Sequence, residues 1–246
     1  SEEGYKKDIL SMKELGFNLL RKHIKIEHEY FYYACDKLGM LVMQDMVNNG
    51  EYSFVKDTML PTIGFKRNDR KLNKSEIRRQ IFREHTKGTI EHLYNHPSII
   101  AYTIFNEGWG QFNSDEMYDY VKELDDTRLV DSTSGWFEQT KNDFDSKHIY
   151  FRLKKLKVKK RPLFVTECGG YKYMEQGHFF GKEEYGYGTC KDKAELINKI
   201  KTMYEKMIIP YIKDGVCGCI YTQLSDVEGE INGLYTYDRK LCKVEK

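Results

Sequence analysis

The sequence has no apolar run that approaches the ~18 residues needed to cross a bilayer, so no membrane partner is expected. Its 40 basic and 38 acidic residues give a formal net charge of +2, and this near balance gives no electrostatic reason to expect nucleic acid as a partner. The chain begins with Ser1 and lacks the basic and then apolar layout of a signal peptide. We interpret the absent initiator methionine as a sign that an upstream part is missing or was removed.

Cysteine-based frameworks are also absent. The six cysteines include no Cys-x-x-Cys pair, and Cys217 and Cys219 are expected to point to the same face of one strand. This pattern is poor evidence for a zinc site or a disulfide framework. We therefore predict reduced thiols in a cytoplasmic protein.

The histidines do not predict a metal site. His23, His96 and His148 are not spaced as metal ligands on a shared helix, so neither a metal nor any other cofactor is predicted. His96 precedes Pro97 and is interpreted as a turn residue or a buried hydrogen-bonding residue. His23 and His148 lie at predicted strand ends, where an active-site role and a structural role are both open.

Two charged segments have alternative interpretations. The basic run from Lys154 to Arg161 either contacts an anionic partner or forms a solvated loop, and we favour the loop because no second basic patch accompanies it. Near the C-terminus, Asp226, Glu228 and Glu230 form a predicted acidic rim. This rim either contacts substrate or solvates a loop, and we again favour the loop.

Helical and strand patterns alternate along the chain, which indicates a parallel sheet with right-handed crossovers. The predicted helices cover residues 5–15, 29–38, 75–95, a segment after the cap Ser114, and about 191–213. The predicted strands cover residues 17–23, 40–45, 99–106, 128–133, 148–151, 162–167 and 216–221. The long connection of residues 46–74 is either a functional loop or a sign of a wrong element assignment.

These elements predict one α/β domain over residues 1–246. Seven strands are one fewer than a (β/α)8 TIM barrel needs. Because the sequence begins on a helical pattern, we expect the missing strand to be the first.

Two glutamates stand at the ends of short apolar runs that are rich in β-branched and aromatic residues. Glu107 follows the third predicted strand and Glu167 ends the sixth, and each is followed by glycine or another small residue. The carboxyl ends of barrel strands are where barrel enzymes place their chemistry. A pair of carboxylates is what cleavage of a glycosidic bond requires, with ~5–5.5 Å between the carboxyl groups in retaining enzymes.

The neighbouring residues suggest how the two glutamates would divide the work. Asn106 is an amide that can bond the sugar hydroxyl beside the anomeric centre, and Trp109 can lower the local dielectric so that Glu107 is protonated and acts as an acid. Glu167 must stay ionised to act as a nucleophile. Arg21 and Tyr150 are the candidate donors that would favour its charged form. The alternative is that each glutamate is an ordinary strand-end charge or helix cap.

Six stretches along the chain resemble the catalytic barrel domain of glycoside hydrolase family 2, the group of β-galactosidases, β-glucuronidases and β-mannosidases. They occur in the expected order and are MKELGFN (12–18), CDKLGM (35–40), NHPSII (95–100), NEGW (106–109), VTE (165–167) and TQLSDVE (222–228). The resemblance implies a retaining mechanism in which Glu107 is the acid/base and Glu167 the nucleophile. It also implies supporting roles for Arg21, Asn106 and Tyr150, while Asp45 is expected to contact sugar hydroxyls.

The sequence also departs from the family in two respects. The jelly-roll and immunoglobulin-like domains that family members normally carry before the barrel are not in this sequence, so the chain is predicted to be a partial catalytic domain. The segment Asn232-Gly233-Leu234 lacks the Asn-x-Lys arrangement that glucuronidases use for the uronate carboxylate. The expected substrate is therefore a neutral β-glycoside, with β-galactosides favoured, while a β-mannosidase or a catalytically silent carbohydrate-binding fragment remains an alternative.

Overall fold

The computed structural model describes residues 1–48, 50, 53, 55, 59–60, 65–181 and 184–244. These residues form two compact units, Ser1–Ser146 and Lys147–Lys246. The boundary falls within a strand, and the expectation of one domain over residues 1–246 stays a prediction.

All seven predicted strands are present. They are β1 (Leu19–Lys22), β2 (Leu41–Asp45), β3 (Ile99–Asn106), β4 (Leu129–Ser134), β5 (Asp145–Ile149), β6 (Leu163–Gly169) and β7 (Val216–Thr222). The first four form one sheet in the order β1-β2-β3-β4, and the last three form a second sheet in the order β5-β6-β7. The pairs β1–β2, β2–β3, β3–β4 and β6–β7 are parallel, as the alternating pattern predicted.

The α-helices among the described residues precede β1 or lie between strands in the sequence. They are α1 (Glu2–Glu14), α2 (Glu29–Leu38), α3 (Glu76–Leu93), α4 (Ser114–Leu124) and α5 (Lys193–Met203). A short 3-10 helix covers Asp69–Lys71, inside the long connection between β2 and α3. The rest of that connection is described only in part, so its interpretation as a functional loop stays a prediction.

Local signals fix two helix ends where the sequence placed them. Helix α2 ends at Gly39, whose φ of 66° is in the left-handed region that glycine adopts without a Cβ penalty. Helix α3 begins after Ser75, whose side chain accepts a hydrogen bond from the Arg78 amide. Ile77 and Ile81 of this helix are 74% and 59% exposed, whereas Ile90 and Leu93 are buried.

Several predicted boundaries differ from the structure, and β6, for example, continues to Gly169, two residues beyond Glu167. Ser114 is the first residue of α4 rather than its cap, because the buried Asp69 carboxylate accepts a hydrogen bond from the Ser114 amide at 2.9 Å. The predicted helix 191–213 changes after α5 into a π-helix and then a 3-10 helix that contains Pro210, which cannot donate an amide hydrogen bond. Strand β5 begins at Asp145, three residues before its predicted start.

Each unit has its own apolar core. In the first unit the fully buried side chains include Ile9, Tyr32, Met43, Leu93, Ile104, Phe105 and Val121. In the second unit the buried apolar side chains include Val165, Cys168, Leu196, Met203, Met207, Ile231 and Leu234.

The six cysteines are free thiols. Within the part of the chain that the structure describes, no helix combines the length and the apolarity that crossing a membrane requires. The basic segment from Lys154 to Arg161 is irregular and mostly exposed, in keeping with the solvated loop favoured from the sequence.

Candidate active site

Three polar side chains meet at the carboxyl end of the first sheet. Arg21 of β1 donates from Nε and Nη2 to the two carboxylate oxygens of Asp45, each at 2.9 Å, and Asp45 is the last residue of β2. Nη2 of Arg21 also donates to Oδ1 of Asn106, the last residue of β3, at 2.8 Å. Neighbouring strand ends of a parallel sheet thus bring together residues that are 24 and 85 positions apart.

This cluster is almost completely withdrawn from water. The side chains of Arg21 and Asp45 are 3% and 0% exposed. Burial alone would raise the pKa of Asp45, but the Arg21 charge and the hydrogen bonds from His23 and Arg21 outweigh it and lower that pKa to about 2. His23 lies with Nδ1 3.4 Å from Oδ2 of Asp45, so this histidine belongs to the cluster.

Both low pH and the substitution Asp45→Ala should lower the free energy of unfolding, because each removes the charge of Asp45. Asp45→Ala leaves the Arg21 guanidinium buried without this partner, and we expect the free energy of unfolding to fall by about 3–5 kcal/mol. Since the folded pKa of about 2 lies below the ordinary value of 3.8, the ion pair stabilises the fold above pH ~4. This stabilisation is lost as the pH falls toward 2. Urea unfolding between pH 7 and pH 2 measures both effects.

Asp126→Ala is the matched control, because Asp126 is exposed in a turn of the same unit. It should change the free energy of unfolding by no more than about 0.5 kcal/mol. If Asp45→Ala were as stable as this control, the buried ion pair would contribute nothing.

Glu107 lies in a turn that begins where β3 ends. Its φ of 51° is in the left-handed region, a strained conformation for a residue other than glycine. Its amide donates to the carbonyl of Ser134, the last residue of β4, at 3.0 Å. Gly108 follows with a φ of 72°, and a Cβ at this position would come within 2.2 Å of the Phe137 ring. The turn thus requires glycine after Glu107 and fixes the backbone that carries this carboxylate.

Trp109 anchors the same turn to the long connection. Its indole Nε1 donates to the carbonyl of Gly50 at 2.8 Å, and its own carbonyl accepts from Asn48 Nδ2 at 3.1 Å. The amide of Trp109 donates to the Asn106 carbonyl at 3.0 Å, which closes the turn around Glu107. Part of the long connection therefore packs against the turn that carries Glu107.

The sequence reasoning missed one buried acid in this unit. Asp131 lies within β4 and is fully buried, and burial raises its pKa, opposed by hydrogen bonds that include one from Asn142 Nδ2 at 3.0 Å. A lone aspartate inside a strand gives no local signal of this environment. Its partner Asn142 is 11 positions away and comes after the strand.

In the second unit, Glu167 of β6 is surrounded by donors from neighbouring strands. The Tyr150 hydroxyl donates to Oε2 of Glu167 at 2.5 Å. His148 of β5 lies with Nδ1 3.3 Å from the same oxygen. Tyr150 thus supplies a donor of the kind expected from the sequence, and His148 is placed beside the carboxylate.

Thr222, at the end of β7, completes this arrangement and was not predicted. Its Oγ1 lies 2.9 Å from the Tyr150 hydroxyl, so the phenol contacts both Glu167 and Thr222. Burial and then the Glu167 charge raise the pKa of Tyr150 well above its ordinary value, which keeps the phenol protonated as a donor. The one feature of the sequence that could have indicated this role is the position of Thr222 at a strand end.

The backbone at Glu167 is irregular. The pairing of β6 with β7 shifts register between Val165 and Cys168, which is the interval that contains Glu167. Such irregularities bend a strand and re-aim side chains, and they are common next to active sites. The Glu167 side chain is 13% exposed, so its carboxylate is largely but not completely shielded from water.

The predicted acidic rim is wrong at Asp226. This residue is 1% exposed and accepts a hydrogen bond from the buried Lys243 ammonium at 2.6 Å. Lys243 also donates to the carbonyls of Tyr173 and Ile231, at 2.8 and 3.1 Å. The pair is internal because a lysine 17 positions later in the chain compensates the acid.

The family model of the glycosyl hydrolases family 2, TIM barrel domain, matches residues 1–215. This chain belongs to glycosyl hydrolase family 2. The resemblance found in the six sequence stretches is thereby confirmed, and so is the predicted TIM-barrel fold.

Relatives of this family 2 chain are much longer than the chain itself. A β-galactosidase of Kluyveromyces lactis is 24% identical over 94% of the chain, which spans 23% of that relative. A β-galactosidase of Priestia megaterium is 28% identical over 50% of the chain and 11% of its own length. The chain therefore spans less than a quarter of these curated relatives.

Solved structures show the same fold. The crystal structure of an FMN-binding β-glucuronidase from Facaelibacterium prausnitzii L2-6 matches 98% of the chain with a TM-score of 0.69. The sequences are 20% identical, and the match covers 39% of that protein. At this identity the likeness concerns the fold of the family 2 barrel domain and not its substrate.

Proposed function

We propose that this family 2 chain carries the catalytic residues of a retaining β-glycosidase that hydrolyses terminal β-glycosidic bonds of neutral sugars, with β-galactosides the favoured substrates. The mechanism is double displacement, in which a carboxylate attacks the anomeric carbon and water later releases the sugar. The observation that carries the proposal is the 2.5 Å hydrogen bond from Tyr150 to the strand carboxylate Glu167.

Glu167 is the proposed nucleophile. A hydrogen bond from a phenol that stays protonated favours the ionised carboxylate, which is the form that attacks. The register shift at this point of β6 also supports the proposal, because such irregularities change the direction in which a side chain points and are common next to active sites.

Glu107 is the proposed acid and base. It protonates the leaving oxygen in the first step and then removes a proton from water in the second. The left-handed backbone at this residue, fixed by Ser134 and Gly108, supports a functional position, because strained residues other than glycine cluster at active sites.

The other predicted residues would hold and recognise the sugar. Oδ1 of Asn106 accepts a hydrogen bond from Arg21, so the amide group of Asn106 presents its NH2 donors to the hydroxyl beside the anomeric centre. The buried Arg21–Asp45 pair fixes this orientation, and Asp45, with both carboxylate oxygens held by Arg21, would support sugar binding through Arg21 and Asn106 and not by the direct contact with a sugar hydroxyl expected from the sequence. Trp109 would supply the apolar surface beside Glu107.

A neutral sugar is favoured by the surroundings of Asn232. Its Oδ1 accepts from Gln223 at 2.8 Å, and its Nδ2 donates to the Glu230 carboxylate at 3.0 Å. The nearby cation is Lys243, whose ammonium is buried and donates to three acceptors that include Asp226. An acidic neighbour and a fully engaged lysine do not suit a uronate carboxylate. The names of the curated relatives, both β-galactosidases, support the same choice.

A panel of 4-nitrophenyl glycosides tests this proposal. The full-length translation product that contains residues 1–246 should hydrolyse the β-galactoside at least about 100-fold faster than the β-glucuronide, because burying an unpaired carboxylate in this acidic setting is costly. Proton NMR of the first product should show the β-anomer, which indicates retention. The β-mannoside belongs in the same panel.

Each alternative has its own result in this panel. Preference for the β-mannoside would replace the substrate and keep the mechanism. Preference for the β-glucuronide would show that the argument from Asn232 and Lys243 is wrong. A folded protein that binds sugars and cleaves none of them would support the carbohydrate-binding alternative.

A further inference from the structure

The ring of Tyr187 lies flat against the ring of Tyr150. The two ring centroids are 3.8 Å apart and the planes meet at 14°, which is a close stacked arrangement. Tyr150 is the residue whose hydroxyl contacts Oε2 of Glu167 and Oγ1 of Thr222. The stack therefore covers one face of the side chain that donates to the proposed nucleophile.

The backbone beside the stack leaves no room for a side chain at Gly170. A Cβ on Gly170 would come within 2.6 Å of Cδ2 of Tyr187 and 3.3 Å of Cε1 of Tyr150. The carbonyl of Gly170 accepts a hydrogen bond from the Tyr187 amide at 2.8 Å. A glycine three residues after Glu167 thus admits both rings and holds the backbone of the second.

The segment that carries Tyr187 is tied down on two sides. The amide of Tyr185 donates to the Gly229 carbonyl at 2.8 Å, and the Tyr185 carbonyl accepts from the Ile231 amide at 3.1 Å. On the other side of Tyr187, the Gly188 carbonyl accepts from the Lys172 amide at 2.9 Å. The stacked ring is therefore presented by a segment anchored to the chain that follows β6 and to the chain that follows β7.

Two more aromatic side chains contact the edges of the Tyr187 ring. Phe151 meets it at 5.2 Å and 80°, and Tyr185 meets it at 5.6 Å and 72°. Such edge-to-face contacts fix the orientation of the central ring. Phe151 is 74% exposed, so its contact does not account for the position of Tyr187. The close approach to Gly170 and the stack on Tyr150 do account for it.

We propose that Tyr187 is a positioning residue, which holds the Tyr150 hydroxyl on Glu167 by stacking against the Tyr150 ring. The inference rests on the proposed function of Glu167 as nucleophile. Without the stacked ring, Tyr150 gains space to rotate away from the carboxylate, and the donor that favours attack by Glu167 is misplaced. A displacement of about 1 Å in such a group can lower a rate about 100-fold.

The decisive variant is Tyr187→Met, which keeps apolar bulk and removes the ring. We expect kcat for the 4-nitrophenyl substrate to fall by about 10-fold or more, with KM little changed, because the change acts on the position of the Tyr150 hydroxyl at the proposed nucleophile. The acidic limb of the pH–rate profile, which reports ionisation of the Glu167 carboxyl group, should move to higher pH because the hydrogen bond that favours the carboxylate is weakened. Tyr150→Phe should show the same change. The double variant Tyr150→Phe/Tyr187→Met should be no slower than Tyr150→Phe alone, because both changes remove one interaction.

Two further variants separate positioning from general damage. Tyr187→Phe keeps the stacked ring and should lose much less kcat than Tyr150→Phe. Tyr33→Met makes the same substitution at an exposed tyrosine of α2 and should leave the kinetics unchanged. If Tyr187→Met does not fold by circular dichroism, Tyr187→Phe decides: a loss equal to that of Tyr150→Phe would overturn a role for the stack.

An NMR experiment distinguishes failure of this inference from failure of the proposed function. Carbon-13 NMR of ring-labelled tyrosine identifies the Tyr150 signal by its disappearance in Tyr150→Phe. This signal should resist titration in the wild type and titrate at lower pH in Tyr187→Met. If wild type and Glu167→Gln are equally inactive, the glycosidase proposal fails, while the Tyr150 signal still reports on the stack. Wild-type kcat together with an unchanged Tyr150 signal in folded Tyr187→Met would overturn the inference.

Discussion

Glu167→Gln should lower kcat for the preferred glycoside by about 10⁴-fold or more, with the protein still folded. Glutamine preserves the size of the side chain and an oxygen that can accept from Tyr150, but a neutral amide does not displace a leaving group from the anomeric carbon. The measurement is release of 4-nitrophenol under saturating substrate, with urea unfolding of the same preparation. The effect should be the largest of any single substitution in the second unit.

Glu205→Gln is the matched control for this change. Glu205 is 53% exposed on the π-helix that follows α5, and its loss should leave kcat unchanged. A 2-deoxy-2-fluoro glycoside with an activated leaving group forms a covalent sugar that is released slowly. Attack by Glu167 expels the leaving group, so the peptide that contains Glu167 should gain the mass of the 2-deoxy-2-fluoroglycosyl group. Wild-type turnover by Glu167→Gln, or labelling of another carboxylate, would remove Glu167 from the nucleophile role.

Glu107→Ala should produce a loss that depends on the leaving group. With poor leaving groups the leaving oxygen needs a proton, and removal of a general acid typically costs about 10²–10⁴-fold. With an activated aryl glycoside the first step needs little acid, so the loss should be smaller and the second step should become rate-limiting. Azide, which needs no general base, should then accelerate turnover and form a β-glycosyl azide.

Glu123→Ala provides the comparison, because Glu123 is an exposed carboxylate on α4 in the same unit. It should show neither the dependence on the leaving group nor the rescue by azide. An equal loss on all substrates in Glu107→Ala would instead indicate that the change disturbs the turn at Gly108. In that case the role of acid and base would pass to another residue.

Much of the architecture could be predicted from the sequence because its signals are local. The strand patterns, the glycine that ends α2 and the serine that caps α3 act within a few residues of where they stand. The two glutamates were found for the same reason, since each directly follows or ends an apolar run. Where a signal came from far along the chain, as at Ser114, the predicted boundary was wrong by a residue.

The surroundings of the candidate residues depended on contacts between distant positions. Asp226 was predicted to lie on an exposed rim, but Lys243 makes its burial tolerable by pairing with it. Thr222 lies 72 positions from Tyr150 in sequence and contacts its hydroxyl. No local sequence pattern predicts such a partner, because a polar residue such as Asp226 or Thr222, considered alone, could equally well face solvent.

The sequence by itself determined the family, the seven strands and the two candidate glutamates, since hydrophobic periodicity and short motifs encode them locally. The tertiary structure alone decided which donors face Glu167, that Arg21 and Asp45 form a buried pair, and that Tyr187 stacks on Tyr150. The physical reason is that desolvation and close packing act on side chains brought together by folding, whatever their separation along the chain.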